Sequence, residues 1–286
     1  MTKLFIYGFG YTADYLAKEI KPKWGKVIGT TRNSEKLKNQ GNDLKLIHPD
    51  ETVNFLNNFS DKITHLLISV PPDQDGDLFL RQNDSYFKKN HNLEWIGYLS
   101  ATSVYGDHAG EYVTEHSELK AQTNRGINRI KAEKQWQELC LEKKLPLHIF
   151  RIAGIYGNNR NIYERIKTKK FKNIVKNNHF FSRIHVCDLV NILKASMFKS
   201  NPINTYNIAD DHPSSMQEVV EFICKYKKLP IPKEIFFQDL DDEFKKNSFY
   251  TENKKIANRH LKEDLGITLK YPSYREGYEE IIKNGK

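Results

Sequence analysis

The stretch that decides the fold is Leu4-Phe-Ile-Tyr-Gly-Phe-Gly-Tyr-Thr-Ala13, close to the start of the sequence. Four apolar residues followed by a glycine turn predict a buried strand with a helix directly after the turn. Gly8 permits the tight turn, Gly10 has no Cβ to collide with a pyrophosphate, and Ala13 lets helix and strand pack closely. The positive dipole at the helix N-terminus attracts an anion. The stretch therefore predicts a dinucleotide-binding βα unit.

Beyond this unit, the first half of the chain alternates β-rich runs with amphipathic stretches, the pattern of a parallel sheet covered by helices on both faces. The predicted strands are Leu4–Tyr7, Lys26–Thr30, Leu44–His48, His65–Val70, Trp95–Ser100 and Leu147–Ile152. The predicted helices are Thr12–Ile20, Ser34–Asn39, Thr52–Asn58, Leu78–Lys89 and Asn128–Glu142. Because connections between parallel strands are right-handed, we predict an α/β fold with a doubly wound parallel sheet of the Rossmann type.

After Ile152 the rhythm changes, and a smaller C-terminal lobe is predicted. The pattern indicates a loop over Gly154–Asn161, a short helix and a basic, hairpin-like stretch that ends at Phe181. The other predicted elements are a helix over Val186–Phe198, a strand over Tyr206–Ile208, a helix over Met216–Tyr226 and a less regular region after Pro232. Asp188 is placed to cap the first of these helices or to favour its N-terminal dipole. We therefore assign residues 1–154 and 183–209 to the Rossmann domain, and residues 155–182 and 210–286 to the lobe.

The composition narrows the classes of protein to consider. The 286 residues suit one large α/β domain or two joined ones, and no run approaches the roughly 20 apolar residues that cross a bilayer. Cys140, Cys187 and Cys224 form neither a metal-binding spacing nor a disulfide framework, so a cytoplasmic protein without a metal is expected. The net charge of +9 is not accompanied by a motif of nucleic-acid recognition. We expect a small-molecule partner, and neither a membrane nor a nucleic acid.

The end of the second predicted strand indicates which dinucleotide is bound. NAD-dependent proteins usually carry Asp or Glu about 20 residues beyond the glycines, where it binds the ribose 2′-hydroxyl. This chain has Gly29-Thr-Thr-Arg-Asn33 instead, with no acid in reach. Thr30 and Thr31 can donate hydrogen bonds, and Arg32 can form a bidentate pair with a 2′-phosphate. We therefore predict NADP(H), with NAD(H) as the alternative.

Six segments, in order along the chain, match landmarks of one protein family: Tyr98–Gly106, Ala132-Glu133, Arg151–Gly157, Arg183–Leu189, Tyr206–Ala209 and Tyr271–Gly277. The chain resembles the extended and atypical short-chain dehydrogenase/reductases. Within them it is similar to the NAD(P)-dependent epimerase/dehydratase-like group, which includes nucleoside-diphosphate-sugar epimerases. The resemblance implies that the C-terminal lobe binds the substrate, a nucleotide-linked sugar or a similar polar molecule. It also implies a homodimer through the Asn128–Glu142 helix.

The catalytic residues of that family, a Ser or Thr, a Tyr and a Lys, are missing here. The resemblance implies that the Tyr is the general acid/base, that the Lys lowers its pKa and that the hydroxyl orients the substrate. In register, these three positions fall on Ala101, Arg125 and Arg129. Arg stays protonated, and losing positioned acid–base help typically forfeits a factor of about 10² to 10⁴ in rate. The remaining catalytic candidates are Ser100, Thr102, Ser103 and Arg129.

The resemblance also implies sets of contacts with the cofactor and the substrate. The expected cofactor-binding residues are Gly8, Phe9, Gly10, Tyr11, Thr12, Thr30, Thr31, Arg32, Ser69, Val70, Pro71 and Ala153. The expected substrate-binding residues are Tyr105, Tyr156, Arg160 and Arg183, whose two arginines would pair with a phosphate or carboxylate. We interpret the Tyr–Lys spacing at Tyr163 and Lys167 as a coincidence. His185 and Asp188 are interpreted as a structural residue and a helix cap, because the spacing around them is not that of a closed metal site.

These patterns predict an NADP(H)-dependent oxidoreductase or epimerase in which the catalytic triad is degenerate. The alternative is a non-catalytic NADP(H)-binding protein that acts as a sensor or regulator. The displaced triad favours the sensor, and the intact order of the six segments favours the enzyme. A nucleic-acid-binding protein is the third and weakest interpretation.

Overall fold

The computed structural model describes residues 3–24, 26–38, 43–59, 62–88, 92–199 and 203–284. Contacts within it divide the chain into two units, each built from three segments. The first unit comprises Met1–Ala101, Ile127–Arg151 and Val190–Tyr206, and the second comprises Thr102–Gly126, Ile152–Leu189 and Asn207–Lys286. Residues 102–126, 152–154, 183–189 and 207–209 thus lie in the second unit, although the sequence pattern assigns them to the Rossmann domain.

The strands, in chain order, are β1 (Leu4–Tyr7), β2 (Val27–Thr30), β3 (Leu44–Ile47), β4 (His65–Ile68), β5 (Trp95–Ala101), β6 (Tyr112–Val113), β7 (Leu147–Ile152), β8 (Gly154–Tyr156), β9 (Asn173–Val175), β10 (Arg183–His185), β11 (Ile203–Ile208), β12 (Glu234–Phe236) and β13 (Lys255–Ile256). Seven of them form one sheet in the order β11-β7-β5-β4-β1-β2-β3. Each pair from β3 to β5 is parallel. Chain order reverses between β1 and β4, so the predicted doubly wound sheet is confirmed. Sheets of this kind bind ligands at the carboxyl ends of the strands where the order reverses.

The helices are α1 (Tyr11–Trp24), α2 (Ser34–Lys38), α3 (Thr52–Phe59), α4 (Leu78–Gln82), α5 (Asn124–Lys143), α6 (Ile162–Lys167), α7 (Val186–Ser196), α8 (Met216–Lys227), α9 (Asp242–Asn247), α10 (Arg259–Leu265) and α11 (Tyr274–Asn284). The helix predicted over Leu78–Lys89 is wrong in its second half. Asn83 donates to Phe79 O from its N–H at 2.9 Å and from its side-chain amide at 3.0 Å, which ends α4. A short 3-10 helix follows over Asp84–Lys88. Asn39 and Lys89, at the ends of two predicted helices, lie outside the described residues.

Three short parallel pairs occupy the second unit, and they correct the elements predicted there. β8 pairs with β10, β9 with β12 and β6 with β13. The predicted loop therefore begins with a strand, and the stretch before Phe181 pairs with a distant segment and forms no hairpin with itself. The β6–β13 pair ties residues 102–126 to this unit, as does Asp107, which accepts the N–H of Asn253 at 2.8 Å. The region after Pro232 contains β12, β13 and α9 to α11, so it is more regular than predicted.

Each unit has a core of its own. In the first unit, Trp136 of α5 is fully buried and its ring lies 6.1 Å from that of Phe79. In the second unit, side chains of α6, α8 and α11 form the core, and Tyr156 stacks on Tyr278 at 5.3 Å between ring centres. Among the described residues, none of the helices combines the length and the apolar character that a membrane span requires.

Candidate functional site

The glycine turn after β1 has the geometry that a bound dinucleotide requires. Gly8 has a φ of +100°, and a Cβ placed on it would lie 2.7 Å from Val70 Cγ2, so only glycine fits without strain. A Cβ on Gly10 would meet no atom within 4 Å, so the space beside Gly10 is open. Gly10 O accepts the N–H of Asp14 at 3.0 Å, which starts α1 directly after the turn. The dipole of α1 therefore favours an anion in the open space beside Gly10.

The end of β2 supports this turn from the side. Thr30 Oγ1 accepts the N–H of Gly8 at 2.9 Å, and Thr30 O accepts the N–H of Phe9 at 2.7 Å. The Phe9 ring covers Gly29, where a Cβ would lie 2.6 Å from Phe9 Cδ2. Thr30 is 1% exposed, so its hydroxyl holds the turn and is not available to a ribose. The structure thus gives Thr30 a different role from the predicted one.

Two cationic side chains follow β2. The first is Arg32, which is exposed. Thr31, directly before it, is buried, and its Oγ1 accepts the N–H of Asn33 at 3.2 Å. Lys36 of α2 is not among the predicted residues, yet its Nζ lies 3.5 Å from Phe9 O and 5.6 Å from the centre of the Phe9 ring. In the sequence Lys36 is one cation among many, and only the position of α2 brings it to the glycine turn. Arg32 and Lys36 together make this end of β2 basic.

The carboxyl end of β4 lies on the other side of the turn. Tyr7 of β1 is opposite Ile68 of β4, and Tyr7 O accepts the N–H of Ser69 at 2.9 Å. Ser69 and Val70 are half-buried and Pro71 is exposed. A Cβ on Gly8 would meet atoms of Val70 and Ser69, so these two residues lie beside the glycine turn.

Three predicted cofactor contacts remain, two at the start of α1 and one in the second unit. Tyr11 and Thr12 form the first turn of α1, where Thr12 is buried and the Tyr11 ring lies 5.1 Å from that of Tyr15. Ala153 belongs to the second unit, is 7% exposed and donates its N–H to Ile208 O at 2.9 Å. The first unit therefore collects all the predicted cofactor residues except Ala153.

Ser100, a predicted catalytic residue, belongs to a buried polar network. Its Oγ donates to Glu133 Oε1 at 2.5 Å. Arg151 donates to the same carboxylate, from Nη2 at 2.8 Å and from Nε at 3.2 and 3.3 Å. The side chains of Arg151 and Glu133 are 6% and 3% exposed, so this is a buried, multiply bonded ion pair. The structure therefore assigns Ser100 to the interior and not to the substrate, which corrects the prediction.

The two arginines in the family's Tyr and Lys positions have separate surroundings. Arg129 donates from Nη1 to Leu99 O at 3.1 Å. Burial raises the pKa of the nearby Tyr98, and the charge of Arg129 opposes that rise. Arg125 is exposed and lies 4.7 Å from the centre of the Phe249 ring. Both arginines are thus held in contacts that suit a permanent cation, and neither can accept a proton.

The turn after β5 contains the other hydroxyl candidates. Thr102 and Ser103 lie in a 3-10 turn over Thr102–Tyr105, and both are half-buried. Ser103 Oγ is buried and has no hydrogen-bond partner within the described residues. Tyr105 is fully buried and donates to Asn207 Oδ1 at 2.6 Å, so it supports the fold and does not face a substrate as predicted. Unlike Ser100, Ser103 is not committed to a partner in the described ranges.

Of the remaining predicted substrate-binding residues, one is exposed to solvent and two are buried. Arg160 is exposed after β8, where its N–H donates to Gly157 O at 3.1 Å. Tyr156 is buried and donates to Ser273 O at 3.3 Å. Arg183 is 8% exposed and starts β10. Arg160 is therefore open to solvent, while Tyr156 and Arg183 are interior groups.

Asp188 lies in the first turn of α7, where a negative charge suits the helix dipole as predicted, but its carboxylate does not act as the predicted cap. Its carboxylate accepts the N–H groups of Lys270 and Tyr271, each at 2.8 Å, so it fixes a segment far along the chain. His185 packs against Tyr271 at 4.0 Å between ring centres, and burial lowers the pKa of its imidazole to about 4. Within the described ranges, no group of three or more His, Cys, Asp or Glu side chains could hold a metal ion.

Comparison with solved structures defines the class of fold. The UDP-glucose 4-epimerase of Thermotoga maritima, solved with UDP-glucose, aligns with a TM-score of 0.77 at 14% identity and 99% coverage of both chains. The UDP-glucuronic acid 4-epimerase of Bacillus cereus, solved with NAD, aligns with a TM-score of 0.78 at 14% identity, covering 99% of this chain and 97% of the other. The fold is that of the extended short-chain dehydrogenase/reductases of the NAD(P)-dependent epimerase/dehydratase type, so the predicted resemblance is confirmed.

A nearer relative gives the family. The chain belongs to the same family as a functionally unknown conserved protein from Silicibacter pomeroyi, with 37% identity, a TM-score of 0.91 and 99% coverage of both chains. No family model matches the sequence. No curated protein matches the sequence either.

Proposed function

We propose that the protein binds NADP(H) and acts as an oxidoreductase or epimerase on a nucleotide-linked sugar or a similar phosphorylated substrate. The observation that carries this proposal is the glycine turn. Gly8 cannot bear a Cβ, the space beside Gly10 is open, and α1 begins there with its positive end. When bound, the nicotinamide would supply or accept a hydride. The UDP-sugar and NAD ligands of the structurally similar epimerases support the choice of ligands.

The preference for NADP(H) rests on two cations at the end of β2. Arg32 is exposed there, and Lys36 Nζ lies 3.5 Å from Phe9 O, directly beside the glycine turn. No carboxylate follows β2 in the position that binds a ribose 2′-hydroxyl. A 2′-phosphate would therefore meet two positive charges, and an NAD ribose would find no acceptor.

Replacing these cations is expected to remove the preference. Arg32→Ala should raise the Kd of NADPH about 10- to 100-fold, since a charge-assisted hydrogen bond contributes about 1.5–3 kcal/mol. Lys36→Ala should act in the same direction. The Kd of NADH should stay within about twofold, because NADH lacks the 2′-phosphate. Fluorescence titration of both cofactors checks this. Equal losses for NADH and NADPH would place the two side chains elsewhere on the dinucleotide. Lys18→Ala, at an exposed lysine of α1 that is paired with Asp14, is the matched surface control.

The function itself is tested by mixing the purified protein with NADP(H) and a panel of UDP-sugars. An enzyme is expected to change the nicotinamide absorbance near 340 nm, or to convert one sugar epimer into another by NMR. The rate should change in Arg129→Ala, since this guanidinium lies beside Leu99 O at the end of β5. Tight NADPH binding with no change of nicotinamide or sugar for any substrate would reject the enzyme.

One set of observations favours a second candidate, a non-catalytic NADP(H) sensor. Arg125 and Arg129 cannot accept a proton, and the hydroxyl of Ser100 is bonded to Glu133. Hydride transfer to a carbonyl needs a matched proton transfer, and these positions do not supply it. A sensor is expected to bind NADP⁺ and NADPH with unequal affinity and to show no turnover, so the same titrations separate the two functions.

A further inference from the structure

An open cavity of about 610 Å³ lies within the second unit. This volume is in the range of about 300–1,000 Å³ that small-molecule sites have. Three aromatic rings, two acidic side chains and one serine line the cavity: Phe244, Phe249, Tyr250, Asp241, Glu243 and Ser248. The sequence patterns did not single out any of these six residues, and the glycine turn and its walls do not include them.

The three rings give the cavity an apolar surface on which a planar ligand can stack. Phe249 is 69% exposed and Phe244 is 36% exposed, whereas Tyr250 is buried. Tyr250 is fixed in place, because its hydroxyl donates to Ile174 O at 3.1 Å and its ring stacks on that of His179 at 5.4 Å between centres. Neighbouring apolar side chains that stay exposed around a cavity are typical of a ligand-binding groove.

The surroundings of Phe249 bear on the charge of the ligand. The guanidinium of Arg125 lies 4.7 Å from the centre of the Phe249 ring. A ring that already pairs with a guanidinium is a poor partner for a second cation, since two positive charges would then lie close together. The cavity therefore suits a neutral planar group better than an ammonium group.

The polar groups of the cavity select the edge of that planar group. Ser248 Oγ accepts the N–H of Tyr250 at 3.3 Å and donates to a backbone carbonyl of α9 at 2.9 Å, so its hydroxyl is used within the fold. Asp241 Oδ1 accepts the N–H of Phe244 at 2.7 Å. A carboxylate has about four acceptor sites, so Asp241 and Glu243 can accept further hydrogen bonds. A ligand is therefore expected to present donors at its edge.

We propose that this cavity binds a guanine base, stacked on the aromatic rings, with the carboxylates of Asp241 and Glu243 accepting its N–H groups. Guanine carries the N1–H and the 2-amino group side by side, so two adjacent donors meet the carboxylates. Uracil has a single N–H between two carbonyl oxygens, which a carboxylate repels. Adenine and cytosine carry one amino group beside a ring nitrogen that is an acceptor.

The inference deepens the proposed function and rests on it for the statement that the base belongs to a nucleotide-linked sugar. It names the substrate class as a guanosine-diphosphate sugar. The structurally similar epimerase of Thermotoga maritima was solved with UDP-glucose instead. The base would thus distinguish this chain from that enzyme, although the folds are alike.

The first test is calorimetric titration of the protein with GDP and with UDP, without a cofactor. The two ligands share their ribose and diphosphate, so the ratio of the Kd values reports the base. The Kd of GDP is expected to be about 10- to 100-fold lower, because a further hydrogen bond to a charged group is formed. Equal Kd values, or tighter binding of UDP, would overturn the proposal.

A pair of aromatic variants locates the base. Phe249→Ala should raise the Kd of GDP about 5- to 100-fold, since a stack between a ring and a base is lost. The fold should tolerate this change because the side chain is 69% exposed. Phe236→Ala removes a ring that is 46% exposed and is not one of the six lining residues, so it is the matched control and should leave the Kd unchanged. Unchanged binding in Phe249→Ala would place GDP elsewhere and reject the site.

A second pair tests the carboxylate. Asp241→Asn keeps an oxygen that can cap α9 but exchanges the carboxylate for an amide. The preference for GDP over UDP should fall about fivefold or more, because hydrogen bonds to charged groups are stronger than neutral ones. Asp242→Asn, at a neighbour whose side chain is paired with Lys245 at 3.4 Å, should keep the wild-type preference. An Asp241→Asn variant that also keeps it would contradict the assignment.

Failure of this inference and failure of the proposed function give different results. NADPH binding that is normal in the wild type and in all four variants, together with equal Kd values for GDP and UDP, would reject the guanine site alone. A wild-type protein that does not bind NADPH would reject the proposed function, whatever the result with GDP.

Discussion

Gly10→Asp is expected to fold like the wild type and to weaken NADPH binding by about a hundredfold or more, which is about 2.7 kcal/mol. The fold should tolerate the change because a Cβ at Gly10 meets no atom within 4 Å. Binding should not, because the new side chain fills the space that a pyrophosphate needs and brings a negative charge next to it. The Kd of NADPH and the Tm of the free protein are the two quantities to measure.

Gly8→Ala provides the matched comparison at the same turn. Here the φ of +100° and the contact with Val70 oppose any side chain. We expect a loss of about 1–3 kcal/mol in the free energy of unfolding, seen as a lower Tm. The two variants should therefore separate a residue that shapes the turn from one that leaves room for the ligand. If Gly10→Asp bound NADPH normally, the anion would not lie at this turn.

Glu133→Ala is expected to cost about 3–5 kcal/mol of the free energy of unfolding. Its carboxylate joins Arg151 and Ser100 inside the first unit, and removing it leaves the buried guanidinium of Arg151 without this counter-charge. Denaturant unfolding followed by circular dichroism measures the loss. Because the network is interior, we expect the change in stability to exceed that of any single exposed ion pair on the same helix.

The exposed pair Lys134 and Glu138 of α5 is the control for Glu133. Its atoms are 3.7 Å apart and the side chains are 75% and 65% exposed, so Glu138→Ala should change stability by less than about 0.5 kcal/mol. Replacing the whole network, with Glu133→Leu, Arg151→Met and Ser100→Ala together, should recover much of the loss, since buried ion pairs are often matched by apolar packing. A loss below about 1 kcal/mol in Glu133→Ala would contradict the buried network.

Local features of the sequence were enough to predict the sheet and the glycine turn. The run Leu4–Tyr7 is apolar on every residue, and all four of its side chains are buried, as a strand covered on both faces requires. Gly8 permits the positive φ of the turn, and Gly10 leaves open space for a ligand. The class of fold could be predicted because the landmark segments occur in their order.

Contacts between distant residues could not be predicted in this way. Ser100 was a catalytic candidate because it flanks Ala101, the position of the family's hydroxyl, but its partner Glu133 lies 33 positions further along the chain. Asp188 was expected to cap the helix it begins, and it binds backbone 82 and 83 positions away. Lys36 had no distinguishing feature until α2 placed it beside Phe9. Such pairings depend on packing that no local pattern encodes.

The chain passes from one unit to the other five times, after Ala101, Gly126, Arg151, Leu189 and Tyr206. Neither unit is a contiguous stretch of the gene, so one recombination event cannot transfer either of them whole to another protein. A fragment that stops after Leu189 would lack part of both. A laboratory chimera that replaces either unit whole would therefore need matched crossover points at all five junctions.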